Sequence, residues 1–556
     1  MIKSKLTLHN WAWLLTAMVF VTPLLWSVYW NQNFVYPKWV LVDLVISLAA
    51  LTLMFEGRLR IPPRPLLIVT GLLLLARLIA TALNLNWVSM LSLNYAVAFA
   101  VLVCYFATSW KKHELYLNHL LWPFVLCSTA IIVHVASQFI HSRIELGNPE
   151  PLFYSGPFGN INMMSEYLTF ILPFGFYLLQ RENGWRSYWV QACITGIITI
   201  LLVGQSRSAW IGLGMCFVYG AWRRLSIREW ASYLMGLGIF IACSFIPYQG
   251  QDYAQAKQGS ALKRFELYKG ASQMLLDSPL GIGGSEFEYT YIPYQMSTKE
   301  EPVEREKFNT PHSEILKWGI ENGWAYMILA CLWWLVLGAY VWKIKAPRDM
   351  QTLLRISFLV IGPQIFFQFP FENPASFFAL SFSIGLMMAY DSSTEYRLKK
   401  WAKVAIAALA LAFFVDGSAR TASRWIESQY ITDKDMTDIG CQLDRSNWRL
   451  CFLHSMALLG GTYPQDAFPF IKKGLEQRPF DYHSLRALGF YYITTNKLQP
   501  ACEVGKVYDS LFFGKSIFTP FVKESCKQFP LKVPYQNGQQ FTEDYLKWLK
   551  GYIETP

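Results

Sequence analysis

Residues 65–83 read PLLIVTGLLLLARLIATAL and carry a single charge, Arg77. A helix needs about 17–25 mostly apolar residues to cross the hydrocarbon core of a bilayer, and this run is long enough. Comparable runs recur along the chain, roughly at 11–30, 38–55, 90–109, 116–140, 163–180, 188–204, 209–222, 230–247, 314–342, 351–368, 376–390 and 401–416. Together they predict about thirteen transmembrane helices in an all-α, polytopic membrane protein. Composition agrees. Hydrophobic residues make up 53% of 556 and charged residues only 16%, with a mean hydropathy of +0.24. A soluble chain of this length would need charged surface on several domains. The net charge of +11 does not mark a nucleic-acid footprint, because the basic residues sit in short clusters between apolar runs.

Those clusters orient the chain. Lys3 and Lys5 precede the first run, Arg58, Arg60 and Arg64 follow the second, and Lys111 and Lys112 follow the fourth. Arg181 and Arg186, then Arg223, Arg224 and Arg228, then Lys343, Lys345 and Arg348, then Arg397, Lys399, Lys400 and Lys403 continue the alternation. Every second loop is short and basic, which places those loops in the cytoplasm of a bacterial inner-membrane protein. Loops 141–162, 205–208, 248–313 and 369–375, and everything after about 417, then face the periplasm. No small-residue cleavage site follows the first run, so it reads as a retained anchor.

Two domains follow: a membrane domain over 1–416 and a periplasmic helical domain over 417–556. The latter holds Cys441, Cys451, Cys502 and Cys526. An even number in an oxidising compartment suggests disulfides, and the sequence-local pairing is Cys441–Cys451 with Cys502–Cys526; four unpaired thiols are the other reading. Leu485, Leu488, Gly489 and Tyr492 match the spacing of a tetratricopeptide first helix. Ala501 stands where the second helix of that repeat needs a small residue, and Ala467 and Pro479 fit an earlier unit. Phe513 departs from the closing proline. Such TPR-like repeats form concave peptide-binding surfaces, or here simply a cap on the last span.

Chemistry-bearing residues gather on the periplasmic side. Arg207 lies in a tight hairpin, Gly204-Gln205-Ser206-Arg207-Ser208-Ala209-Trp210, which would hold a guanidinium at a fixed depth for phosphate; snorkelling is the alternative. Arg264 opens a helix in the long loop. Asp277-Ser278-Pro279-Leu280-Gly281-Ile282-Gly283-Gly284 lacks the strand–turn–helix setting of a nucleotide loop and reads as a turn back to the membrane. Thr310 reads as an N-cap and Pro311 as the first helical residue, placing His312 in the first turn of a membrane helix. There the dipole opposes protonation and favours the neutral imidazole of a general base. Asn160 and Asn162 bind sugar or phosphate, or cap the sixth run. Arg77 is a charge inside a span, and Glu372 is the acidic candidate on the same face.

At these residues the chain resembles the O-antigen ligase, O-antigen polymerase and protein O-oligosaccharyltransferase superfamily. Three elements carry the likeness: Ser206-Arg207-Ser208-Ala209-Trp210; Arg264 followed by Asp277-x-Pro279-Leu280-Gly281-x-Gly283; and Pro311-His312-Ser313. It covers roughly 140–390. The resemblance implies metal-independent transfer of a glycan from undecaprenyl diphosphate, with no cofactor. It implies Arg207 and Arg264 as essential arginines and His312 as the essential histidine. Gly159-Asn160-Ile161-Asn162 is similar to a motif of the protein-glycosylating branch, but Gln368-Phe369-Pro370 stands where that branch often has Glu-Tyr-Pro. The acceptor expected is a Ser/Thr hydroxyl of a periplasmic, pilin-like protein. The alternatives within the family are lipid A core and a growing O-antigen. A transporter or flippase is the rival from another class; it would place charges near the midplane and show internal repeats of its spans, and none is seen here.

Overall fold

The structure, a computed structural model, describes residues 14–15, 17–25, 35–85, 87–113, 117–141, 155–223, 226–244, 253–295, 308, 310–390, 395–429, 433–444, 448–459, 464–479, 481–512, 526 and 539–554. The first apolar run lies partly outside the described residues, and Phe513 wholly so.

The membrane domain contains helices α1 (Tyr36–Glu56), α2 (Arg64–Leu83), α3 (Trp87–His113), α4 (Leu117–Phe139), α5 (Ile161–Arg181), α6 (Gly184–Val203), α7 (Arg207–Trp222) and α8 (Ile227–Ser244). After them come α9 (Tyr253–Asp277), α10 (Glu314–Asn322), α11 (Trp324–Lys343), α12 (Arg348–Phe367), α13 (Pro374–Ala389) and α14 (Lys400–Gln429). Among the described residues, eight helices are long and apolar enough to span a bilayer. The opening stretch is one of them. α2 turns Leu67, Ile68, Leu72, Leu75, Leu78 and Ile79 outward, while Arg77 is 7% exposed. Apolar side chains outside and the charge inside is the arrangement a bilayer selects.

Two of the remaining helices at expected crossings, α13 and α5, satisfy a different constraint. Every residue of α13 is buried, over a length of 16 residues. α5 buries Glu166 and most of its length within the bundle. A helix wrapped in protein needs neither lipid-grade hydropathy nor full bilayer length. The run expected at 314–342 is not one helix. It breaks at Gly323, where φ is 87° and ψ 169°, a region open essentially to glycine alone.

A two-stranded antiparallel ribbon, β1 (Arg58–Arg60) with β2 (Glu395–Arg397), pairs Arg58 with Arg397. At the same end Arg181 Nε donates to Asp349 at 2.6 Å, and Arg348 donates to the Arg223 carbonyl at 3.2 Å. The basic loops of the alternation therefore meet on one face of the bundle. On the opposite face Asn84 donates to the Gly281 carbonyl at 3.3 Å, and Arg478 lies 3.8 Å from Glu286.

The tail packs α15 (Lys434–Leu443), α16 (Trp448–Leu459), α17 (Phe468–Gln477), α18 (Tyr482–Thr494), α19 (Leu498–Phe512) and α20 (Gln539–Glu554) around a separate core that includes Leu485, Leu488 and Tyr492. α18 and α19 form a hairpin in which Ala501 is fully buried. Ala467 is also fully buried, but it closes the 3₁₀ turn before α17 and does not lie within a helix. Both expected disulfides, Cys441–Cys451 and Cys502–Cys526, are present. The expected boundary at 416–417 is not a break, because α14 runs on to Gln429. Arg420 secures that stretch by pairing with Asp43 and Asp416, each at 3.0 Å.

Candidate functional site

Arg207 is the first residue of α7. The preceding turn is tight: the Gly204 amide bonds the Ile200 carbonyl at 2.8 Å, and Gln205 takes φ 48°. Ser206 is the N-cap residue in an extended conformation. Its hydroxyl lies 3.3 Å from that of Ser208, which in turn accepts from the Gln368 amide at 3.0 Å. Gln368 ends α12 and is 1% exposed. The exposed Arg207 thus projects from a turn whose flanking serines are fixed from below.

Arg264 and Tyr268 stand one turn apart on α9, so they share a face. The Tyr268 hydroxyl donates to the His312 carbonyl at 3.1 Å. That bond ties the long loop to the segment before α10. The helix begins later than expected: Ser313, not Thr310, is the N-cap, and its hydroxyl accepts from the Leu316 amide. Pro311 and His312 therefore precede the helix, and His312 takes φ 53°. A positive φ at histidine is uncommon and aims the side chain away from the helical path. The ring rests against Phe369, centroids 5.4 Å apart. Its Nδ1 is buried without a hydrogen-bond partner.

Electrostatics show which of these groups are neighbours. Burial lowers the proton affinity of His312, and the Arg264 charge adds to this, bringing the imidazole down to about 4. Burial likewise lowers Arg264, with Arg207 contributing in the same direction. Tyr268 feels both guanidiniums, although burial is the larger influence and raises it. Two arginines, a tyrosine and a neutral histidine thus converge from α7, α9 and the segment before α10. Paired guanidiniums beside a neutral base suit a diphosphate leaving group and a hydroxyl acceptor.

The other candidates make contacts of their own. Asn160 caps α5, its Oδ1 accepting from the Asn162 and Met163 amides at 2.8 and 3.4 Å; Asn162 supplies the first of those amides. Arg77 donates to the Ser92 carbonyl at 3.1 Å and to its hydroxyl, and its guanidinium stands over the Tyr326 ring. Glu372 pairs with Lys317 on α10. Arg77, Lys317 and Glu372 line one cavity of about 470 Å³ together with Glu314 and Glu321. The glycine-rich stretch folds against α10: the Ile282 and Gly283 amides bond the Ile320 and Glu321 carbonyls, each at 3.0 Å. It completes the C-terminal hydrogen bonds of that helix.

The sequence reading missed Tyr268, Gln368's bond to Ser208, and the Lys317 carboxylate cage. Tyr268 could have been found, since it follows Arg264 by four residues. Lys317 lies three residues after Glu314 and four before Glu321, a helical charge pattern that was also legible.

Residues 191–331 match the family model for O-antigen ligase. The chain carries an O-antigen ligase family region. This O-antigen ligase region runs from within α6 to within α11 and contains Arg207, Arg264 and His312; Arg77, Asn160, Asn162 and Glu372 fall outside it. The match supports an enzyme that transfers glycan, a lipid-linked donor and a membrane setting. No curated protein matches the chain.

Proposed function

We propose that the protein transfers a glycan from undecaprenyl diphosphate to an acceptor hydroxyl at the periplasmic face of the inner membrane, and that the acceptor is Ser or Thr of a protein. The observation that carries the donor half is the convergence of Arg207, Arg264 and the low-affinity His312. The two guanidiniums hold the diphosphate and stabilise the charge that develops as the bond from the anomeric carbon to phosphate breaks. The acceptor oxygen forms the new bond to that carbon as His312 takes its proton. Undecaprenyl diphosphate leaves, and one displacement inverts the anomeric centre. No step calls on a metal. Tyr268 fixes the backbone of His312. Asn160 and Asn162 shape the approach by ordering the start of α5.

Support for a protein acceptor comes from the tail. Its α18–α19 hairpin belongs to a domain that meets the periplasmic loop of the proposed orientation through Arg478, 3.8 Å from Glu286 and over the Tyr289 ring at 4.1 Å. The two disulfides accord with an oxidising compartment. The description of the matching family model favours a second reading, ligation to lipid A core. Glycoproteomics of the host with and without the gene separates the two. Loss of a glycan from secreted proteins with unchanged lipopolysaccharide fits the protein acceptor. Loss of O-chains from lipopolysaccharide with every glycoprotein unchanged overturns it.

A further inference from the structure

The cavity of about 470 Å³ runs nearly the thickness of the bundle. Pro62, Cys104 and Met388 line it near the face that carries β1 and β2, and Glu288 lines it at the opposite face. Between these ends the walls are apolar, with Leu73, Ala100, Ala330 and Trp333 among them. Charge is confined to one end, where two cations, Arg77 and Lys317, stand among four carboxylates, Glu288, Glu314, Glu321 and Glu372. Two walls are α2 and α11, whose spanning windows are only 28% and 22% buried in protein, so one layer of helix separates the cavity from the surrounding lipid. A long apolar slot with charges at one mouth matches an amphiphile with an extended chain.

The balance of charge selects the headgroup. Lys317 is already engaged by Glu372 and lies 3.7 Å from Glu321. Arg77 is bonded to Ser92, but its Nε is buried without a hydrogen-bond partner, and so is Glu314 Oε2. Both groups retain capacity, one for an anion and one for a donor. The carboxylate surplus disfavours a headgroup of net negative charge and favours one that adds a cation. We infer that this cavity binds one acyl chain of a zwitterionic, ammonium-bearing phospholipid, its phosphate at Arg77 and its ammonium among Glu288, Glu314 and Glu321. None of Arg207, Arg264 and His312 lines the cavity, although its charged end includes Glu314, two residues after His312. Its occupant holds α10 against α2 and α3 from within.

The test uses the full chain in detergent. Native mass spectrometry measures retention of phosphatidylethanolamine, phosphatidylglycerol and undecaprenyl phosphate, each added at equal concentration. Phosphatidylethanolamine should be retained at least tenfold better than either anionic lipid. Phosphatidylethanolamine with a diazirine on its acyl chain should label peptides of α2, α3 and α11. Ala100→Phe and, separately, Leu73→Trp fill the slot and should reduce both signals at least tenfold. Equal or stronger retention of either anionic lipid overturns the proposal, as does labelling that both filling variants leave unchanged. The lipid preference of the unaltered protein decides the matter even if a variant fails to fold.

Discussion

His312 is defined by three local facts: a positive φ, a ring laid on Phe369 and a buried Nδ1. The result is an imidazole held near 4, below its ordinary 6.5. On the proposed mechanism the neutral form is the active one, so activity should be present above the folded-state value and lost as pH falls through it. kcat/KM, which reports the free enzyme, should therefore stay level from pH 7 down to about 5 and fall only near 4. A limb at 6.5 would contradict the assigned environment. Arg207→Ala and Arg264→Ala should each cost about 10²–10³-fold in kcat. Lysine at either position should recover only part, lacking the bidentate fork; equal rates for lysine and arginine would remove the two-point grip on phosphate. The three proposed residues were easy to single out because each sits in a short motif whose chemistry suits a glycosyl diphosphate. Their partners were less so. Tyr268 meets His312 across 44 residues of sequence and Gln368 meets Ser208 across 160, separations over which no local pattern gives register.

The element that follows His312 is α10, which the expected run at 314–342 joined to α11. The two differ in character, since α10 carries Glu314, Lys317 and Glu321 while α11 has no charge before Lys343, and the backbone of Gly323 divides them. Beyond the break, the Trp324 amide bonds the Pro279 carbonyl at 3.0 Å, so the glycine-rich turn and the helix break lock together. A Cβ at Gly323 would meet the Pro279 and Leu280 backbone. Gly323→Ala should destabilise this region by at least about 1–3 kcal/mol. Hydrogen exchange should show faster opening of α10 while α2 and α14 are unchanged. Uniform protection would show that the break does not fix α10. α5 and α13 are wrapped in protein, and α13 is apolar but only 16 residues long. The two local disulfides were readable because the short spacing left little loop to close.

At the scale of the molecule, the alternation of basic loops anticipated which loops share a face, and the ribbon of β1 with β2 and the Arg181–Asp349 pair join such loops. The domain boundary was less legible: α14 enters the tail without a linker, because Arg420 finds Asp43 and Asp416 where the apolar run ends. On the proposed orientation, deleting residues 440–556 should sharply reduce transfer to the cognate protein while slow hydrolysis of the lipid-linked glycan persists. Unchanged protein transfer by a truncated form present at normal level in the membrane would dissociate the tail from acceptor capture. The central claim is that Arg207, Arg264 and His312 together move a glycan from a polyprenyl diphosphate. The most direct measurement is a purified assay in proteoliposomes with undecaprenyl-diphosphate-linked glycan and an acceptor protein. It reads the acceptor's intact mass and the undecaprenyl diphosphate released. The unaltered protein should add one glycan mass per undecaprenyl diphosphate released. His312→Ala should insert normally and lose about 10²–10⁴-fold of the rate. Full transfer by His312→Ala, or no glycan transfer to any hydroxyl acceptor by the unaltered protein, would contradict the account.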